Sequence, residues 1–265
     1  MKYFLAAVLF IYSLVAVSNE KSTHSQSMGS VSVYDDYHTN CSFSALPEQT
    51  EVCLGYHNSY FLSELGETTL HISFPTAKLV HSYTLSTFGY SDYNDITAKV
   101  SLARMFTPRM SAGISTAYIL HHHVGAEKGM TGFIVSPGIY CYFAEDNLLA
   151  CYAEIGRKPL SIDNYKLTYS TFVAYNLTIN IYVNWATEIG VDNNDFIGRM
   201  GFSYKVEMFS LRCGASLMPI RPSAGIGFEI NCFDFSYAAD YCNTLGTRMS
   251  LGFCWKIQNK KRNAK

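Results

Sequence analysis

Arg248-Met249-Ser250-Leu251-Gly252-Phe253-Cys254-Trp255-Lys256-Ile257 alternates residue by residue, Met, Leu, Phe, Trp and Ile on one parity and Arg, Ser, Gly, Cys and Lys on the other. A strand turns successive side chains to opposite faces, so this stretch has one apolar, aromatic face and one polar or small face. A soluble sandwich can also alternate. Here the pattern recurs from Glu51 to Ile257 behind an export signal, which predicts an all-β chain whose strands meet lipid on one side and water on the other: an antiparallel transmembrane β-barrel.

The N-terminus supplies the export signal. Lys2 is a positive n-region, Tyr3 to Val17 a short apolar stretch, and Ala16-Val17-Ser18 a cleavage site that sets a mature start near Asn19. No later run reaches the roughly 18 apolar residues of a spanning helix, so membrane crossing falls to strands. Composition agrees. With 20 Tyr, 17 Phe and 2 Trp against 15% charged residues, the chain is rich in strand formers and in the aromatics of interfacial girdles. A mean hydropathy of +0.04 suits strands that are polar on one face. A formal net charge of -1 implies no nucleic-acid partner.

Fourteen strands are predicted. The first seven cover Val52–Tyr60, Thr68–Phe74, Leu79–Phe88, Asp95–Met105, Met110–His121, Thr131–Phe143 and Leu148–Ile155. The rest cover Lys166–Tyr175, Leu177–Ala186, Phe196–Tyr204, Phe209–Leu217, Ala224–Asn231, Asp234–Tyr241 and Arg248–Lys256. Even-numbered connections read as tight turns, one of them at Asn176. Odd ones read as longer loops, such as Gly156–Tyr165 and Glu188–Asp195, which is the asymmetry of outer-membrane barrels. The chain thus divides into a signal peptide (1–18), a polar Ser-rich segment (19–50), a barrel (51–257) and a basic tail (258–265).

Facing follows from the alternation. Leu177, Ile179, Ile181, Val183 and Trp185 are expected at lipid, opposite Thr178, Asn180, Tyr182 and Asn184. The in-strand charges Lys99, Glu154, Arg199, Arg212, Glu229, Asp234, Asp240 and Arg248 fall on the interior face, where a charge avoids the about 2–4 kcal/mol cost of mid-membrane lipid. Their mixed signs argue for pairing across the lumen rather than for an ion-selective ring. Pro137-Gly138 interrupts the sixth strand and marks a candidate kink or bulge.

Other motifs carry less. His121-His122-His123 has no carboxylate or thiol at ligand spacing and reads as loop-edge histidine, not a metal site. No catalytic signature is present and no cofactor is implied. Among eight cysteines, Cys141 with Cys151 and Cys213 with Cys232 are placed symmetrically about turns and are candidate cross-hairpin disulfides. Cys41, Cys53, Cys242 and Cys254 have no evident partner. Small apolar fillers in a reducing setting is the competing reading of all eight.

Four segments carry a family resemblance. Gly29-Ser-Val-Ser-Val-Tyr-Asp-Asp-Tyr-His-Thr-Asn40-Cys-Ser-Phe-Ser-Ala-Leu46 resembles an opening stretch with an Asn-Pro-Ala-x-Leu motif, and Gly55 to Leu65 resembles a first strand and loop. Phe88-Gly-Tyr-Ser-Asp-Tyr-Asn-Asp95 is similar to an "FGY-x-x-Y-x-E" element, and Gly225 to Tyr237 with Leu245 to Phe253 are similar to closing hairpins. The family is the PorV/PorQ-like group of the FadL superfamily, from Bacteroidetes outer membranes. The resemblance implies a fourteen-stranded barrel in the outer membrane with residues 19–50 folded into the lumen as a plug and Asn40 in the plug motif. For PorV-like members it implies service in type IX secretion, with secretion machinery or secreted cargo as partners besides lipid. For FadL-like members it implies passage of hydrophobic compounds through plug rearrangement or a lateral opening. The chain departs at Asn40-Cys41-Ser42, which lacks the proline, and in its short loops and basic tail. It therefore looks like a reduced paralogue, with three expected roles: secretion accessory, channel for small hydrophobic compounds, or structural barrel.

Overall fold

The alternating stretches form strands and the strands close on themselves. A computed structural model describes residues 22–31, 49–76, 79–123, 129–143, 147–161, 164–180, 183–193, 195–217, 220–243 and 246–257. The expected signal peptide, Asn40 with its motif, and the tail beyond Ile257 lie outside the described residues. One short helix, α1 (Thr23–Ser27), precedes the strands β1 (Thr50–Ser59), β2 (Gly66–Pro75), β3 (Leu79–Tyr90), β4 (Tyr93–Thr107), β5 (Met110–His123), β6 (Met130–Tyr142) and β7 (Leu148–Ser161). The second half comprises β8 (Asn164–Asn180), β9 (Val183–Asp192), β10 (Asp195–Val206), β11 (Phe209–Leu217), β12 (Ile220–Ile230), β13 (Phe233–Cys242) and β14 (Gly246–Ile257). Each strand pairs antiparallel with its sequence neighbours, and β1 pairs with β14 from Thr50↔Ile257 to Ser59↔Arg248, closing a fourteen-stranded barrel with no free edge.

The pleat sorts side chains as the alternation requires. On β4, Ile96, Val100 and Leu102 are 38%, 43% and 43% exposed, whereas Thr97, Lys99 and Ser101 between them are 3%, 8% and 2% exposed. The outer surface is thus apolar and the interior is dominated by Ser, Thr and paired charges, the inverse of a soluble core. No helix among the described residues is long and apolar enough to cross a membrane.

Two expectations fail locally. No turn stands at Asn176. Asn176 pairs with Leu148 on one side and Ala186 on the other, and β8 runs on to Asn180. Asn is a common turn residue, but the unbroken alternation around it decides. The loops expected at Gly156–Tyr165 and Glu188–Asp195 are strand: β7 reaches Ser161 and β9 reaches Asp192. The expected asymmetry of the connections shrinks accordingly, leaving six-residue gaps only between Ser59 and Gly66 and between His123 and Met130. His121, His122 and His123 are the last three residues of β5, at the edge of the connection to β6.

The cysteine pairing also differs. Cys53 and Cys254 form a disulfide, with Cα atoms 4.1 Å apart and a sequence separation of 201. They face each other because closure places the first strand beside the last, a relation invisible in local spacing. Cys141 stands opposite Leu149 and Cys151 opposite Ile139, so this hairpin is out of register for a bridge. Cys213 stands opposite Ala224, and Cys232 lies in the turn after β12. These four remain thiols.

Candidate functional site in the barrel lumen

Ser22 to Val31 lie inside the barrel. A five-residue helix has no stability of its own, and α1 is held by its serines and by the wall. Ser22 caps it, its Oγ accepting from the Ser25 N–H at 3.2 Å. Ser25 Oγ donates to the Val31 carbonyl at 2.9 Å and Ser27 Oγ to the His24 carbonyl at 2.7 Å. The chain reverses at Gly29 and Ser30, both in the left-handed region with φ of 71° and 67°. Ser25, Ser27, Met28 and Val31 have no exposed surface.

The seat is cut into the wall by small residues. α1 lies against β12 and β13, with further contact to β11 and β14. A Cβ on Gly201 would stand 2.5 Å from the Met28 carbonyl oxygen, and one on Gly225 would stand 2.5 Å from Ser27 Cβ. A Cβ on Gly214 would collide with the Gly29 N–H group, and one on Gly252 would stand 2.8 Å from Thr23 Oγ1. Polar contacts then fix the segment. Ser223 Oγ accepts from the Gly29 N–H at 3.0 Å and donates to the Ser27 carbonyl at 3.1 Å. Gln26 Oε1 lies 3.2 Å from His57 Nδ1, and His24 Nε2 lies 3.5 Å from Asp234.

The eight interior charges named from sequence sit on the faces turned away from the exposed apolar residues, and most are brought into pairs. Glu229 receives Lys205 at 2.6 Å and Lys256 at 2.8 Å, and Lys256 also reaches Asp234 at 3.6 Å. Lys256, on the polar face of the last strand, is thus engaged in this cluster. Arg248 grips Asp240 through two nitrogens, Nε at 2.8 Å to Oδ1 and a second to Oδ2. Arg199, 9% exposed, pairs with the fully buried Glu188. The expected loop at 188–195 had hidden that partner. Lys99 is buried on β4, while Glu154 and Arg212 are half-buried. Near the opposite end, His121 Nδ1 contacts Asp95 with the Tyr93 ring edge-on to His121 at 4.9 Å. No group of three His, Cys, Asp or Glu placed for a metal ion occurs among the described residues.

Pro137 acts differently from the expected kink. β6 is continuous, and its register with β5 runs unshifted from Met110↔Cys141 to His121↔Met130. Toward β7 the pairs Val135↔Ile155 and Gly138↔Tyr152 hold the same register on either side of Ser136 and Pro137. Pro137 has no N–H to give, and the register passes it without a bulge.

No family model matches the chain, and no curated protein matches it. Solved structures do. The toluene transporter TodX of Pseudomonas putida superposes with a TM-score of 0.67 at 9% identity, over 90% of this chain and 99% of TodX. The Ralstonia pickettii toluene transporter TbuX gives 0.65 at 8% identity, over 89% and 98%. A FadL homologue of Pseudomonas aeruginosa gives 0.61 at 8%, over 90% and 98%. At such identity the likeness is one of fold: the chain has the barrel architecture of these outer-membrane proteins.

Proposed function

We propose that this chain is an outer-membrane channel, non-enzymatic and without a cofactor, through which small hydrophobic compounds enter the cell. In this reading Ser22–Val31 belongs to a plug formed by residues 19–50. The observation that carries it is the seating of Ser22–Val31 inside a closed fourteen-stranded barrel, on a wall whose glycines leave room for nothing larger. A lumen occupied in this way admits no wide water column, which suits single small molecules better than bulk flow. The fold likeness to two toluene transporters and a FadL homologue points the same way. The secretion-accessory reading draws no support from these neighbours and stands behind the channel reading.

The test is uptake of labelled toluene by cells with an intact outer membrane. Cells making the chain are expected to take toluene up several-fold faster than cells without it, with saturation. Equal rates, with the folded barrel confirmed in the membrane, would overturn the reading.

A further inference from the structure

The insert Ser22–Val31 contains one titratable side chain, His24, and the wall holds it among fixed charges. Its Nε2 lies 3.5 Å from Asp234 Oδ1, and the two side chains are 14% and 12% exposed. Lys256 of β14 reaches Asp234 at 3.6 Å but stands closer to Glu229 of β12, at 2.8 Å. Glu229 also takes Lys205 of β10 at 2.6 Å. Arg212 of β11 acts on Asp234, and Glu51 of β1 acts on Lys256. Three carboxylates, Glu51, Glu229 and Asp234, thus balance three cations, Lys205, Lys256 and Arg212. Side chains of these types keep their charge between about pH 5 and about pH 8.

Other titratable groups on the strands against α1 lie further off or answer one another. Asp240 and Arg248 pair with each other, and Asp240 is six residues along β13 from Asp234, about 20 Å away. Arg221 and Cys242 stand at that same far end of β12 and β13. The second histidine of the seat, His57 of β1, meets Gln26, whose amide offers both a donor and an acceptor and so suits the ring in either state. His24 is therefore the group on the insert whose charge changes near neutral pH. When neutral, its Nε2 gives Asp234 a hydrogen bond at most. When protonated, it sets a full charge against a carboxylate whose lysine is shared with Glu229. A mostly buried contact of this kind is screened less than an exposed one.

We propose that His24 and Asp234 form a pH-sensitive latch that holds the insert in its seat. Seating favours the protonated imidazole, so the latch is at full strength in mild acid. As pH rises through the histidine range the charge is lost and the insert leaves its seat more readily. The latch weakens again only in strong acid, where carboxylates are protonated. The proposal rests on the channel reading in taking Ser22–Val31 as part of a plug, and it adds what controls that plug.

The experiment is the ion current of the full chain in planar bilayers of neutral lipid, at about pH 5.5 and about pH 8.5, on either side of the histidine range. The electrolyte is about 0.1 M KCl, whose screening length of roughly 10 Å leaves the contact intact. The current is expected to be about fivefold higher at the alkaline value, the weight of one partly buried charge-assisted contact. His24→Gln, uncharged throughout, should conduct at both values as the parent does in alkali. His24→Lys, charged throughout, should stay at the low acid level at both. If His24→Gln fails to assemble, Asp234→Asn removes the same contact from the wall and should also abolish the pH response. Equal parent currents at the two values overturn the latch, and the plug itself still stands if a chain lacking Ser22–Val31 conducts more. A pH response that survives His24→Gln overturns the assignment to this residue. A chain lacking Ser22–Val31 that conducts no more than the full chain overturns the plug and the latch together.

Discussion

Arg199 and Glu188 show how this barrel keeps charge in its interior. Glu188 is fully buried and pairs with Arg199, whose guanidinium also donates to the Tyr152 hydroxyl. Removing one member of a buried pair strands the other. Glu188→Ala is therefore expected to lower stability by about 3 kcal/mol, more than Glu188→Leu combined with Arg199→Met, which removes both charges. Urea titrations followed by heat-modifiable gel mobility measure the difference. Equal loss in the single and double variants would mean that packing, not the charge pair, dominates. Arg199 was legible as an interior charge because the alternation of β10 sets its face. Its partner was not, because Glu188 precedes Val191-Asp192-Asn193-Asn194-Asp195, whose polar run reads as a loop although its first two residues are strand.

At the scale of elements, α1 depends on the wall and the wall is shaped for α1. Gly201, Gly214, Gly225 and Gly252 occupy inward positions on four strands, and each leaves space that the insert fills. Gly214→Val is expected to dislodge the insert without breaking the barrel, since the outer face is untouched. A cysteine placed at Ser27 should then react with a water-soluble maleimide at least tenfold faster than in the Gly214 parent, and unchanged reactivity would remove the seat from the account. The glycines were readable in sequence once strand faces were assigned, but their meaning was not, since a small inward residue can equally mark tight strand packing. The strands themselves were legible because alternation is a local property. Strand ends were misread where it continued through Asn176 and Gly156, residues that favour turns in isolation, and through Glu188, which precedes a polar run. The Cys53–Cys254 bridge was out of reach because it joins the two ends of the barrel sequence. It closes a loop of about two hundred residues, for which the loop-entropy model gives stabilisation of about 5 kcal/mol. Cys53→Ser/Cys254→Ser should still close the barrel through the β1–β14 ladder but unfold at markedly lower urea. An unchanged midpoint would mean that the seam gains nothing from the bridge.

At the scale of the molecule, fourteen strands close one barrel through mostly short connections. Its outer face is uniformly apolar, its inner face hydroxylic and ion-paired, and its N-terminal segment occupies one side of the lumen. The account holds that Ser22–Val31 keeps the barrel closed to ions. Conductance in planar bilayers tests this most directly. The full chain should show little ion current, whereas a chain lacking Ser22–Val31 should conduct at least several-fold more while keeping the gel mobility of a folded barrel. Equal currents from the two, high or low, would contradict the claim that the insert closes the lumen.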